Sequence, residues 1–325
     1  MKHLFALLAA TVVAAASILA QAPPPPLWSL SGDFQSPESA FYDAASNAVF
    51  VSSINGGMTD KDGNGYISRL TPDGTMVNAK WATGLNGPKG IRGVGGTLWV
   101  ADIDEVVGIA IATGQVTARV RIEGATFLND LATAPDGTVY VADSFGPAIH
   151  MVKDGTSSVF VGGAETVEQV NGLLVDGTRL ISGSLGAGGG RGGPPRGGGG
   201  RRAGGPPAQS QAGPAAQGAG RGGGRGGGGG SLYAFDLQTK ARTKLTEEPV
   251  GGVDGIEPDG KGGVIVTDVF GRRIVQVMAS GRTKVLAQLA GGGADIGFIQ
   301  KRNIVIVPYL NEHKVEAYDL SAVLE

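Results

Sequence analysis

The feature that most constrains this chain is a repeat: six segments place a polar residue at one phase of a unit about forty residues long. The six residues are Glu38, Lys89, Asn129, Asn171, Asp254 and Asp295, separated by 51, 40, 42, 83 and 41 residues. They open the segments Pro37-Glu38-Ser39, Pro88-Lys89-Gly90, Leu128-Asn129-Asp130, Val170-Asn171-Gly172, Val253-Asp254-Gly255 and Ala294-Asp295-Ile296. About ten residues after each comes a run of β-formers: Val49-Phe50-Val51, Leu98-Trp99-Val100, Val139-Tyr140-Val141, Leu180-Ile181, Val264-Ile265-Val266 and Val305-Ile306-Val307. Turn chemistry such as Pro135-Asp136-Gly137 and Pro258-Asp259-Gly260 separates most of these pairs. Proline pre-sets the first turn dihedral, aspartate bonds the local backbone and glycine takes the unusual φ.

A third strand follows in every unit, for example Val106–Ile111 and Arg273–Met278, and a fourth, more polar one in five units, for example Val116–Ile122 and Thr283–Leu289. A four-stranded unit repeated six times predicts an all-β, six-bladed β-propeller with antiparallel blades. A sandwich or single barrel gives no reason to keep a polar residue at one phase. The sixth unit stops after its third strand, and Leu27–Phe34 can supply the missing one, closing the ring by pairing the two ends of the chain.

The separation of 83 is explained by a tract over residues 186–230 that holds 23 of the 58 glycines and no apolar run. Such a composition cannot bury enough surface to offset its ordering entropy, so the tract is expected to be a disordered insertion between the second and third strands of the fourth blade. Its arginine–glycine character also suits weak adhesion to anionic polymers of the cell envelope, though an inert insertion is favoured. The chain therefore reads as a signal peptide over 1–22 and one domain over 23–325, interrupted at 186–230.

Lys2 and His3 precede an uncharged apolar run from Leu4 to Ala20, then Ala20-Gln21-Ala22 and four prolines. A short basic start, an apolar middle and small residues near the end describe an export signal. Cleavage after Ala20 or after Ala22 is equally open. The run is shorter than the ~20 residues a spanning helix needs, so no membrane span is expected after cleavage, and the protein is expected in the periplasm or outside the cell. Cysteine is absent, so a large core must stabilise the fold without disulfides. Of 27 basic and 29 acidic residues, six arginines lie in the tract and Lys2 in the leader, which leaves 20 against 29 in the folded part. That balance of −9 disfavours nucleic acid as a partner. A monomer acting on a small molecule is expected.

Innermost strands line a propeller's axis, so the six aligned side chains should converge on one end of the tunnel. Three carboxylates and two carboxamides are hard oxygen donors. His150 and His313, the two histidines outside the leader, are expected in outer strands. Such a set suits Ca²⁺, with Mg²⁺, Mn²⁺ or Zn²⁺ as alternatives; zinc, lacking imidazole and thiolate, fits least. Mutual hydrogen bonds and water are the plainer filling of the same axis. In that case Lys89 neutralises Asp295 or Glu38.

Ser36-Pro37-Glu38, Leu128-Asn129-Asp130-Leu131, Val170-Asn171-Gly172-Leu173 and Val253-Asp254-Gly255-Ile256 resemble the motifs of the regucalcin–gluconolactonase family of six-bladed propellers, over about residues 34–320 apart from the tract. The resemblance implies a divalent metal on Glu38, Asn171 and Asp254, with Asn129 placed for substrate or a metal-bound water, and hydrolysis of lactones. Asp254 is the candidate base. Lys89 and Asp295 are candidates for the substrate side of the site, and Lys89 would repel a metal unless Asp295 pairs with it. The rival expectation is a non-catalytic propeller that binds a ligand or protein.

Two further patterns have plainer readings. Asp60-Lys61-Asp62-Gly63-Asn64-Gly65-Tyr66-Ile67-Ser68 resembles a calcium-binding EF-hand loop, but Thr71 stands where its bidentate glutamate belongs and the flanks read as strands. A turn-rich loop is expected, with a weak second calcium site as the alternative. Asp102, Asp143 and Asp268 recur at the ends of second strands, which points to a structural task such as capping a turn.

Overall fold

The computed structural model describes residues 23–163, 169–186 and 229–325. The expected signal peptide and nearly all of the glycine-rich tract lie outside the described residues. The rest forms six four-stranded antiparallel sheets. Blade one comprises β2 (Pro37–Asp43), β3 (Ala48–Ser53), β4 (Gly65–Leu70) and β5 (Met76–Leu85), preceded in the chain by β1 (Trp28–Ser31). Blade two is β6 (Pro88–Val94), β7 (Thr97–Asp102), β8 (Glu105–Ala110) and β9 (Val116–Arg121). Blade three is β10 (Leu128–Thr133), β11 (Val139–Asp143), β12 (Ala148–Lys153) and β13 (Thr156–Gly162). Blade four is β14 (Val170–Asp176), β15 (Arg179–Ser184), β16 (Tyr233–Asp236) and β17 (Arg242–Lys244), so residues 187–228 fall between its second and third strands. Blade five is β18 (Val253–Pro258), β19 (Val264–Asp268), β20 (Arg273–Val277) and β21 (Thr283–Gln288). Blade six is β22 (Gly297–Ile299), β23 (Ile304–Tyr309) and β24 (Lys314–Asp319), completed by β1.

That last pairing closes the ring: Trp28 lies opposite Ala317 and Ser31 opposite Lys314. A second seam sits at the axis, where Asp295 N–H donates to Glu38 O and Ala40 N–H to Asp295 O. The core is not central. It is divided into six apolar clusters, one between each pair of neighbouring blades. Phe50 and Ile67 of blade one meet Ile91 and Val100 of blade two, and Tyr140 and Phe160 of blade three meet Leu173 and Phe235 of blade four. Sheets covered on both faces need continuous apolar runs, which is why β3, β11 and β23 are buried throughout. Among the described residues no helix is long and apolar enough to cross a membrane.

One irregularity recurs in the innermost strands. The register slips by one residue between Pro37 and Ala40, Pro88 and Ile91, Leu128 and Leu131, Val170 and Leu173, and Val253 and Ile256. Ala294 N–H bonded to Pro308 O, with Gly297 opposite Ile306, gives blade six the same extra residue. In a regular strand consecutive side chains point to opposite faces. A bulge inserts one residue and re-aims its neighbour, so in blades one and three Ser39 and Asp130 reach the axis beside the aligned residue, while Ile296 of blade six packs into the cluster between blades five and six. In the other three blades the residue after the aligned one is glycine because neighbouring strands come too close for a side chain. A Cβ on Gly90 would lie 2.6 Å from Asp130 Cα, and one on Gly172 2.4 Å from Asp254 O.

The recurring aspartates fix where each inner strand begins. Asp102 accepts from Asn86 and Gly87 N–H, Asp143 from Thr126, Phe127 and Gly146 N–H, and Asp268 from Gly252 and Gly271 N–H. Asp143 and Asp268 cap the following turn, as expected, and all three also hold the segment entering the inner strand.

Candidate functional site

The six aligned residues stand at or just before the starts of the innermost strands; five of them are buried, and Asp254 keeps partial exposure. Asn171 donates from Nδ2 to Asp254 Oδ1 at 2.8 Å. This turns Asn171 Oδ1 away from Asp254, and that atom is buried with no hydrogen-bond partner. Glu38 Oε2 and Asn129 Oδ1 are buried and unpaired in the same way. Native interiors leave few such atoms, because an unmet acceptor costs about 1–3 kcal/mol. Three of the seven such atoms among the described residues stand at corresponding positions of blades one, three and four.

Lys89 and Asp295 do not pair with each other. Lys89 Nζ donates to Met58 O and Gly87 O, each at 3.0 Å, and sits 4.5 Å from the centre of the Phe127 ring. Its ammonium ties the long β3–β4 loop down over the second blade. Burial lowers its pKa to about 8, opposed by the charges of Glu38 and Asp102. Asp295 belongs to a deeper layer: it accepts a bidentate pair of bonds from Arg92, at 2.8 and 2.9 Å, and one from Ser39 Oγ at 2.5 Å. The charge of Asp295 is met by Arg92, whereas among the described residues Lys89 forms no ion pair and its charge acts on Glu38.

Arg92, Ser39, Asp130 and Glu257 were not singled out in the sequence. Arg92 also faces Glu257 at 3.8 Å, and Asp130 accepts from Leu131 and Leu173 N–H. The available signal was their spacing. Ser39 and Asp130 directly follow an aligned residue, and Arg92 and Glu257 follow one by three, positions that face the axis once the bulge is counted. Burial opposes Arg92's charge, but Asp295, Asp130 and Glu257 outweigh it and hold the guanidinium well above its ordinary range.

Five buried or nearly buried carboxyl groups (Glu38, Asp130, Asp254, Glu257, Asp295) thus share the axis with two cations. Buried charge that is not compensated is costly, and the groups respond by holding protons. Burial, then Asp254 and Asp295, push Glu38 well above the usual carboxylate range. Burial and Asp295 raise Asp254 to about 7 against the pull of Asn171, and burial raises Glu257 to about 8. A divalent cation answers both deficits at once, by neutralising the excess and giving the unpaired oxygens a partner. Among the described residues no group of three or more His, Cys, Asp or Glu could hold a metal ion. The carboxamides of Asn171 and Asn129 add oxygen donors to the carboxyl groups of Glu38 and Asp254 at the aligned positions.

The other motifs settle as loops and packing. The β3–β4 loop turns its acids on itself: Asp60 accepts from Gly57 N–H, and Asp62 from Asn64 N–H and Nδ2. Its flanks are strands, as expected. His150 lies in β12, mostly buried. His313 sits in the β23–β24 turn, not in a strand, and its Nδ1 accepts the N–H of Ser36. Neither imidazole belongs to the aligned ring.

No family model matches the chain, and no curated protein sequence does either. Solved structures match in fold. A gluconolactonase from Xanthomonas campestris superimposes with a TM-score of 0.57 at 15% identity, over 89% of this chain and 88% of that one. A chain of the nidogen/laminin complex gives 0.53 at 14% identity, over 80% and 88%. At these identities the likeness establishes a shared six-bladed architecture. One of these folds belongs to an enzyme and the other to a protein complex, so the choice between catalysis and binding rests on the site.

Proposed function

We propose that this protein is a metal-dependent hydrolase of lactones or related esters, exported from the cytoplasm, with its site at the tunnel end formed by Glu38, Asn129, Asn171 and Asp254. The observation that carries this reading is the trio of buried, unpaired oxygens Glu38 Oε2, Asn129 Oδ1 and Asn171 Oδ1 beside a partly open Asp254.

Glu38, Asn171 and Asp254 would hold a divalent ion, calcium by the hardness of the donors, which would supply Lewis acidity toward an ester carbonyl and acidify water. Asn171 keeps Asp254 in place by donating to one carboxylate oxygen, which leaves the other for a proton. Burial and Asp295 raise the Asp254 carboxyl in the metal-free site, and a bound cation would hold it ionised, the form a general base needs. Asp254 takes the proton of the attacking water and returns it to the ring oxygen when the C–O bond breaks, so lactone and water become a hydroxy acid. Asn129 is positioned to orient the substrate or the water, and the buried walls keep the carboxylates in a low-dielectric setting. Lys89 contributes by holding the mouth loop.

The test is a panel of γ- and δ-lactones and aryl esters, assayed after chelation and after calcium is restored. Hydrolysis should vanish with chelator and return with calcium, and the melting temperature should rise with calcium. Absence of turnover together with an unchanged melting curve at millimolar calcium would sink the reading and leave the binding propeller.

A further inference from the structure

Among the described residues the exposed large apolar side chains fall into two sets. Leu27, Val77, Val116, Val159 and Val285 lie on, or next to, outermost strands; Met58, Phe145 and Phe270 lie in loops joining second to third strands. In an up-and-down blade those loops share a face with the starts of the innermost strands, so the second set rims the mouth of the proposed site.

Each rim residue is tied to a site residue. Met58 is 40% exposed, while its carbonyl is held by Lys89. Phe145 is 38% exposed, and its ring lies tilted against Phe127, two residues before Asn129, with centroids 4.7 Å apart. Phe270 is 58% exposed and lies over Gly252, two residues before Asp254; a Cβ there would meet its ring at 2.3 Å. Absence of a side chain at Gly252 is what leaves room for the ring against the segment that enters β18. An apolar rim above buried, unpaired oxygens is complementary to a small amphipathic molecule, with its carbonyl end down and hydrocarbon up. It is a poor match to a ring carrying hydroxyls on every carbon, whose polar groups would find no partners on Met58, Phe145 or Phe270.

Building on the hydrolase reading, we propose that the substrate is a lactone or ester bearing an alkyl or aryl substituent, seated against Met58, Phe145 and Phe270, and not a polyhydroxylated sugar lactone. The residues that set this preference are Phe145 and Phe270.

The experiment measures kcat/KM with calcium for γ-butyrolactone, γ-hexalactone, γ-octalactone, γ-decalactone and glucono-δ-lactone. Wild type should gain about two- to four-fold per added methylene while the chain lies on the rim, as expected for burial of hydrocarbon. It should also prefer γ-decalactone to the sugar lactone. Phe145→Ser and Phe270→Ser should flatten that dependence, and Val285→Ser, on an outer strand, should leave it alone. Hydrolysis that is flat along the series, or fastest on the sugar lactone, overturns the substrate class while the hydrolase reading stands. If nothing is hydrolysed, calorimetric binding of the non-hydrolysable 5-alkyl-2-pyrrolidinones decides. Affinity rising with chain length and lost in Phe270→Ser upholds the apolar ligand without the enzyme. No binding, or no chain-length dependence, overturns both.

Discussion

Asp254 combines a raised carboxyl pKa with partial exposure, which sets it apart among the aligned residues. It is one of five carboxyl groups facing two cations, and burial and Asp295 lift it to about 7. Asp254→Asn keeps an oxygen toward Asn171 Nδ2 and removes one acid from the cluster. Hydrolysis should fall at least ~10²-fold through loss of the base, and calcium should bind less tightly. The metal-free protein, by contrast, should melt at a higher temperature than wild type. A thermal scan beside initial rates checks both halves. An active variant, or one less stable than wild type without metal, contradicts this account. Asp295→Ala is a different experiment from the one the sequence suggests, because its partner is Arg92 and not Lys89. It should destabilise the protein by stranding a buried guanidinium.

The bulged inner strand is the element that makes a site out of a repeat. Its extra residue brings Ser39 and Asp130 to the axis beside the aligned residue in blades one and three, and the glycines at the same position in other blades let neighbouring strands approach. Gly172→Ala tests this without touching a donor. Its Cβ would lie 2.4 Å from Asp254 O and 2.8 Å from the Ile256 side chain, so β18 must shift. We expect about 1–3 kcal/mol of destabilisation in chemical denaturation. Calcium affinity and turnover should fall together, because Asp254 moves with its strand. Unchanged affinity in a destabilised variant would show that the bulge serves packing alone.

Across the whole molecule the tunnel couples stability to pH. Glu38, Asp254 and Glu257 hold their protons more tightly folded than unfolded, so the folded state binds more protons between the ordinary carboxylate range and their raised values. Stability of the metal-free protein should therefore be complete near pH 4 and decline as pH rises through about 7 and 8. Calcium replaces those protons, so its stabilisation should grow over the same interval. Melting temperatures at pH 5 and pH 8, each with chelator or calcium, measure this. A metal-free protein more stable at pH 8 than at pH 5 contradicts the sign.

What the sequence determined by itself was whatever depends on local pattern and periodicity. Six polar residues in phase, β-forming runs and turn triplets such as Pro135-Asp136-Gly137 dictate blade number, strand order and ring closure, since each blade's chemistry is written within about forty consecutive residues. It also placed Glu38, Asn129, Asn171 and Asp254 at one end of the axis, because that placement follows from phase. Only the tertiary structure decided partners across blades. Asp295 meets Arg92 from 203 positions away and not Lys89, and Lys89 is consumed by carbonyls of Met58 and Gly87. The axis-facing phase of Arg92 and Glu257 depends on a bulge, a register feature that no single strand's pattern encodes. The same holds for the rim: Phe145 and Phe270 are ordinary loop residues in sequence. They come to lie against Phe127 and Gly252, two residues before Asn129 and Asp254, because antiparallel blades return every second loop to the face where the inner strands begin.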